Sequence, residues 1–88
     1  MATGHWLLRG DMATTPGHDT VVIVDLDDTL ANVLITNVIG DRVRIHVADN
    51  PNDWDLSPGE SIVRRGAKIF IQKIDNPATA YGTFSILG

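Results

Sequence analysis

Hydrophobic and polar residues alternate along most of the chain after Thr20, which is the pattern of β-strands with one buried face. The clearest case is residues 42–48, where Val43, Ile45 and Val47 fall on one side and arginine and histidine side chains fall on the other. Such alternation is typical of a half-buried antiparallel strand. No window keeps a helical period for more than two turns, so we predict an all-β chain.

Six segments have this strand character, and turn-forming residues separate them. We predict strands at residues 20–26, 30–38, 42–48, 60–65, 67–74 and 80–87. Gly66 joins the fourth segment to the fifth, either as a tight hairpin or as a bulge in one broken strand. In the last segment either Phe84 and Ile86 or the alternate residues from Tyr81 to Leu87 face inward. Strands at this spacing predict a single antiparallel β-sandwich or small barrel of about six to seven strands.

Two segments do not fit the strand pattern. Residues 49–60 form a polar loop with two prolines, from which we expect Trp54 and Leu56 to fold back onto the core. Residues 1–19 have no sustained period and are dense in glycine, threonine and proline. We therefore predict an irregular N-terminal arm at residues 1–19 and a β-sandwich domain at residues 20–88.

The arm contains one apolar group, Trp6, Leu7 and Leu8. These three residues are the candidate partner contact, because a small sandwich leaves edge strands that benefit from being covered by a neighbouring subunit. The alternative is that Trp6 packs on its own domain as part of an additional strand.

Composition narrows the class of protein further. The chain has 88 residues, a formal net charge of −4 and no cysteine, so we expect one domain without disulfides or a thiolate metal site. Its apolar runs are too short to span a bilayer, and residues 1–8 lack the long apolar core of a signal peptide. We expect a soluble, unprocessed chain. The only basic cluster is Arg64 and Arg65, which argues against nucleic acid as the main partner.

The segment VVIVDLDDTL resembles the first motif of the haloacid-dehalogenase phosphatases, in which an apolar strand ends in D-x-D-x-T. The resemblance implies Asp25 as nucleophile, Asp27 as acid/base and Thr29 as a phosphate contact, with Mg²⁺ between the carboxylates and a phosphoryl group. The rest of the chain departs from that family, because the residues after Leu30 alternate as a strand where the family has a helix. We interpret the segment as a strand followed by an Asp-Asp turn.

Other motifs have structural interpretations as well. The tripeptide Arg9-Gly10-Asp11 matches integrin ligands, but three residues cannot specify the constrained loop that recognition needs. The acidic loop has carbonyl and carboxylate oxygens for Ca²⁺ at Asp49, Asn50, Asn52, Asp53 and Asp55, and the same side chains also cap turns. Trp54 is either a stacking platform for sugars or a lid over the core. The three histidines, His5, His18 and His46, are too scattered in sequence to indicate a zinc site or a triad.

The half of the chain from Val43 onward has a more extended resemblance. An alternating strand leads to L-S-P-G-E-S at residues 56–61, then to two strands separated by Gly66-Ala67, an Asn-Pro loop and a terminal G-T-F-S-I-L. This layout resembles the small β-sandwich modules of phage head-decoration proteins, fibre bases and related surface proteins. In such a turn Pro58 fixes φ and Gly59 permits the positive φ of a type II turn. The resemblance implies a structural role and no catalytic residues.

We therefore expect a non-enzymatic structural or assembly protein without a cofactor. It acts through other protein subunits, as a homo-oligomer or on a capsid or tail protein, and the phage resemblance places it in a virion as a capsid decoration or surface protein. One alternative is a carbohydrate- or calcium-binding adhesion module that uses the Asp- and Trp-bearing loops. A second alternative is a fragment of a Mg²⁺-dependent aspartyl phosphatase, which depends on Asp25, Asp27 and Thr29 alone.

Overall fold

A computed structural model describes residues 2–9, 20–74 and 79–88 and shows two four-stranded antiparallel sheets that pack together. In chain order the strands are β1 (Thr3–Leu8), β2 (Val21–Asp25), β3 (Ala31–Ile39), β4 (Val43–Val47), β5 (Asp53–Leu56), β6 (Ser61–Gly66), β7 (Lys68–Lys73) and β8 (Ala80–Ile86). Sheet A has the order β1-β8-β3-β6 and sheet B the order β2-β7-β4-β5. These residues include no helix, and hence none long and apolar enough to cross a membrane. The predicted all-β antiparallel sandwich is confirmed, with eight strands in place of six or seven.

The two halves of the chain pair as one long antiparallel ribbon. β1 pairs with β8, β2 with β7, β3 with β6 and β4 with β5. The ribbon is rolled up, because β8 also pairs with β3 and β7 also pairs with β4. This is the jelly-roll arrangement of eight strands in two sheets. It places β8 and β3 at the centre of sheet A, and β7 and β4 at the centre of sheet B.

Alternating apolar residues of both sheets fill the space between them. Val43, Ile45 and Val47 of β4 are all buried, as the alternation along this strand predicts. Phe84 and Ile86 of β8 pack against the same core, so the first of the two alternatives for this strand is correct. Burial of each such side chain stabilises the fold by roughly 1.5–3 kcal/mol.

The turn between β5 and β6 has the predicted geometry. The N–H of Glu60 donates to the carbonyl of Ser57 at 3.0 Å, and Gly59 between them has a φ of 89°. A positive φ at the third residue of a turn, after proline, is the type II conformation. This turn reverses the chain at one edge of the sandwich.

The arm predicted at residues 1–19 needs correction at its first half. Residues Thr3–Leu8 form β1, which pairs with β8 along its whole length, and Trp6 and Leu8 are buried in the core of their own domain. This is the alternative in which Trp6 belongs to an additional strand. In this strand Gly4, Trp6 and Leu8 share the inward side, while Thr3, His5 and Leu7 face out. Residues 10–19 lie outside the described part of the chain.

Neither expectation for Gly66 holds. β6 lies in sheet A and β7 lies in sheet B, so the chain passes from one sheet to the other at Gly66 and Ala67. The N–H of Leu26 donates to the carbonyl of Ala67 at 2.7 Å, which fixes the crossing against the end of β2. The strands on either side of this crossing, β6 and β7, therefore face the core from opposite sheets.

The polar loop predicted at residues 49–60 contains a short strand, β5. Leu56 is buried and Trp54 packs against the core, as expected for both side chains. The alternate residues Asp53 and Asp55 point outward, and their strand pairs with β4. The sequence does not indicate β5 because two of the four residues of this strand are aspartate, which is disfavoured in strands.

Candidate functional site

The outward face of sheet A is almost free of charge. Four strands turn a mixture of hydroxyl, amide and apolar side chains to this side. They are Thr3, His5, Leu7, Asn32, Leu34, Thr36, Val38, Ser61, Val63, Arg65, Tyr81, Thr83 and Ser85. Arg65 is the one permanently charged side chain among them. Within the described residues, seven large hydrophobic side chains are exposed, and five lie on this face or its margins: Leu7, Val38, Ile39, Val63 and Leu87.

Cross-strand register organises these side chains into rows. Leu34 lies opposite Ser85 on one side and Val63 on the other. In the next row Thr36 lies between Thr83 and Ser61, and its hydroxyl is 2.8 Å from the hydroxyl of Ser61. Side chains directly opposite each other on antiparallel strands are in contact range. The face is therefore a continuous surface of small hydroxyl and aliphatic groups.

A β-bulge in β3 exposes two apolar residues at one end of this face. The register between β3 and β8 shifts between Asn37 and Ile39, and both Val38 and Ile39 are exposed. Asn37 itself is buried, and its Nδ2 donates to the carbonyls of Asp41 and Leu56 at 2.9 Å each. These two hydrogen bonds fix the bulge to the neighbouring turns. Bulges commonly re-aim side chains in this way, so the exposed pair is held in place by buried polar contacts.

A histidine and a tyrosine lie at the same end of this face, where Tyr81 is opposite Ile39. The hydroxyl of Tyr81 and Nδ1 of His5 are hydrogen-bonded at 2.8 Å, and the two rings stack with their centroids 5.8 Å apart. Leu7 lies opposite Tyr81 on β1. None of the strand residues that face outward from sheet A is a carboxylate.

The outward face of sheet B has the opposite character. Arg44 Nε is 3.1 Å from Asp55 Oδ1, and His46 Nδ1 is 2.7 Å from Asp53 Oδ1. At the end of the sheet, Lys68 Nζ is 4.0 Å from the second carboxylate oxygen of Asp25. Acidic side chains are therefore displayed on sheet B and in the turns, and the strand face without carboxylates lies on the other side of the sandwich.

The three residues expected to contact a partner are divided by the β-strand. Trp6 and Leu8 face the core, and the indole N–H of Trp6 donates to the carbonyl of Thr83 at 3.2 Å. Leu7 faces outward and is exposed. Because strand side chains alternate, only Leu7 of the three reaches the outward face of sheet A.

The D-x-D-x-T segment forms the end of β2 and a turn. The N–H of Asp27 donates to Asp25 Oδ1 at 3.2 Å, and the N–H of Thr29 donates to the carbonyl of Leu26 at 3.0 Å. Asp27 has a positive φ of 57°, which aspartate tolerates in turns. The chain then enters β3, and none of the described strands pairs in parallel. The parallel sheet with crossover helices that the phosphatase resemblance implies is absent from this part of the chain.

We predict that the protein releases no phosphate from p-nitrophenyl phosphate in millimolar Mg²⁺. Asp25 is occupied as the acceptor of its own turn, and Lys68 lies beside its other oxygen. The measurement is the rate of p-nitrophenol release by the chain and by its Asp25→Asn variant, which keeps the shape of the side chain. Equal background rates are expected, whereas turnover that disappears in Asp25→Asn would restore the phosphatase interpretation.

The candidate calcium ligands do not converge on one point. Asp49 has a positive φ of 67°, and Asn50 Oδ1 accepts the N–H of Asn52 at 2.9 Å, as in turns that cap themselves. Asp53 and Asp55 are on β5, paired with the cationic and imidazole side chains of β4. In residues 2–9, 20–74 and 79–88, no three His, Asp or Glu side chains are grouped so that they hold a metal ion.

The remaining candidates from the sequence are Trp54, the Arg-Gly-Asp tripeptide and His18. Trp54 packs against the core, and the guanidinium of Arg64 lies 4.0 Å from the centre of its ring. This contact covers one face of the indole, in agreement with the lid interpretation. In the Arg-Gly-Asp tripeptide, Gly10 and Asp11 lie outside the described residues, as does His18.

Comparison of the chain with protein-family models, with curated proteins and with solved structures finds no match.

Proposed function

We propose that the chain is a non-enzymatic assembly protein that associates with a second copy of itself through the outward face of sheet A. The observation that carries the proposal is the contrast between the two outward faces. Five of the seven exposed large hydrophobic side chains among the described residues gather on or beside sheet A, and contiguous exposed apolar surface marks interaction sites.

The distribution of charge supports a second copy as the occupant. The chain has a net charge of −4, so two copies repel each other wherever their acidic surfaces meet. The outward strand residues of sheet A include no carboxylate, and this is the side on which two copies approach without that repulsion. A two-fold dimer uses the same patch on both subunits and therefore needs a self-complementary surface. Rows of small hydroxyl and aliphatic side chains meet that requirement.

The size of the face sets the expected affinity. Four strands about 4.8 Å apart and about 20 Å long give a face of roughly 400 Å² in projection. Standard interfaces bury about 800 Å² per partner, so a dimer through this face is at the low end of interface sizes. We expect a dissociation constant of about 10–100 μM.

A virion is the setting that we propose for this assembly. The proposal is supported by the resemblance of residues 43–88 to phage decoration and fibre modules, and by the use of jelly rolls in viral capsid proteins. Lectins and cupins use the same fold, so fold alone does not fix a function. The association itself is the part that can be tested directly on the purified chain.

The test is sedimentation equilibrium of the chain and of two matched variants. Val63 on edge strand β6 is 46% exposed and faces outward from sheet A, whereas Val22 on edge strand β2 is 43% exposed and lies on sheet B. Val63→Asp places two like charges in a two-fold interface, and we expect it to weaken association at least about tenfold. Val22→Asp introduces the same side chain on the other sheet and is expected to leave association unchanged.

Two results would overturn the proposal. The first is a wild-type chain that stays monomeric up to millimolar concentration. The second is equal weakening by Val63→Asp and Val22→Asp, which would show that added charge acts without reference to the sheet A face.

A further inference from the structure

A groove of about 390 Å³ crosses the outward face of sheet B. This volume falls in the range of about 300–1,000 Å³ that is typical of small-molecule sites. Its walls come from the two central strands, β7 and β4, from edge strand β5 and from Thr20 before β2. The groove therefore lies over the two strands of sheet B that have a neighbour on both sides. It is on the opposite side of the sandwich from the proposed dimer face.

The floor of the groove is aromatic. Phe70 of β7 is partly exposed on the outward side, and His46 lies opposite it on β4. The centroids of the two rings are 5.6 Å apart, with the planes inclined at 39°. This inclination makes His46 a wall beside the Phe70 ring, and Lys68 Nζ lies 5.5 Å from the centre of the same ring, so the floor is an apolar surface bounded by two side chains.

Polar groups with opposite hydrogen-bonding roles surround this floor. Arg44 lies opposite Gln72 on one side and Asp55 on the other, and its Nε contacts Asp55 at 3.1 Å. A guanidinium has five N–H donors in a planar fork, so Arg44 keeps donors directed away from this contact. Asp53 bonds His46 through one carboxylate oxygen, and a carboxylate has a second oxygen that accepts hydrogen bonds.

These contacts indicate the charge of the ligand. The charges of Arg44, Asp55 and Lys68 each lie beside an opposite charge, and Asp53 contacts a ring nitrogen of His46, so these side chains do not present an isolated charge that would select an ionic ligand. A neutral ligand with an apolar face and hydroxyl groups at its edge would use the floor and the remaining donors and acceptors together. We propose that the groove binds a neutral saccharide, with one sugar ring stacked on Phe70 and its hydroxyl groups bonded to Arg44 and Asp53.

The test is titration of the ¹⁵N-labelled full chain with neutral sugars, followed by NMR chemical shifts. The panel contains the methyl glycosides of glucose, galactose, mannose and fucose, and N-acetylglucosamine and N-acetylgalactosamine, each to 50 mM. We expect at least one sugar to give saturable shifts at the amides of residues 44–46, 53 and 70–72. A single ring of this size is expected to bind with a dissociation constant of about 1 mM.

Variants assign the binding to the groove. Phe70→Ala should raise the dissociation constant of the sugar at least tenfold. Phe70→Tyr keeps the aromatic floor and should leave sugar binding in place. Tyr81→Ala removes an aromatic side chain from the sheet A face and should leave it unchanged. The same titration of Val63→Asp separates this inference from the proposed dimer, because that substitution leaves the groove intact.

Three outcomes would overturn the inference. One is the absence of saturable shifts with every sugar of the panel. Another is a set of shifts that Phe70→Ala does not reduce although its spectrum remains that of a folded chain. The third is tighter binding of glucose 6-phosphate or glucosamine than of every neutral sugar, which would show that the groove selects charge.

Discussion

Replacing Trp6 with alanine is expected to lower the free energy of unfolding by about 3–5 kcal/mol. The side chain is 4% exposed and belongs to the core, and its indole N–H donates to the carbonyl of Thr83. Alanine would leave a cavity between β1 and β8 and would remove this hydrogen bond. Domains of this size have a total free energy of unfolding of about 4–13 kcal/mol, so the substitution would remove a large share of the stability of the domain. Urea denaturation followed by circular dichroism measures it.

Leu7→Ala is the matched control for this prediction. Leu7 is the next residue on the same strand, but it is 56% exposed and faces away from the core. Its replacement should change stability by no more than about 0.5 kcal/mol. If both variants were as stable as the natural chain, residues 1–9 would be an arm without a part in the core, as the sequence pattern suggests.

The elements that sequence predicts correctly are those with long, regular alternation. β3, β4 and β8 each alternate over at least five residues. β3 and β4 have the buried face that the pattern indicates, and β8 has one of the two faces that the pattern left open. β1 is harder to predict because its inward side begins with Gly4, which carries no hydrophobic signal. β5 is hidden by Asp53 and Asp55, whose cost in a strand is offset by pairing with Arg44 and His46.

Both candidate surfaces depend on strand order, which the sequence does not reveal. Leu7 and Val63 reach the same sheet because β8 and β3 lie between β1 and β6. Phe70 and His46 meet because β7 pairs with β4, although 24 positions separate them. One signal was present in the chain: the outward positions of β3 and β8 are Asn, Leu, Thr, Val, Tyr and Ser, without the charged residues that normally cover an exposed sheet face.

The two proposals are compatible in one geometry. A dimer that buries sheet A against sheet A leaves both copies of sheet B on the outside, so two grooves face away from each other. Two grooves that face away from each other do not engage one flat surface together, so the gain of about 10²–10⁴-fold in apparent affinity from multivalent binding requires an assembly of many dimers. Sites with millimolar affinity would thus suffice on an assembly that displays many copies.

Gly82→Ala is expected to destabilise the fold by about 3 kcal/mol, because the position has no room for a methyl group. A Cβ at this residue would lie 2.1 Å from the carbonyl oxygen of Thr36 and 2.1 Å from Cζ2 of Trp6. The first contact is with the backbone of the neighbouring strand and cannot be relieved by a side-chain rotation. Thermal unfolding followed by circular dichroism gives the change. The contrasting substitution is Gly59→Ala, where no atom lies within 4 Å and only the positive φ opposes the change.

A double-mutant cycle with Trp6→Ala identifies which contact causes the loss of stability in Gly82→Ala. With the indole removed, one of the two close contacts at Gly82 disappears and the contact with Thr36 remains. We therefore expect Gly82→Ala to cost less in the Trp6→Ala background, with a coupling of about 0.5–3 kcal/mol between the two positions. Strictly additive losses would contradict this packing, because they would mean that the Trp6 ring does not lie over Gly82 in solution and that β1 is held to β8 by its backbone alone.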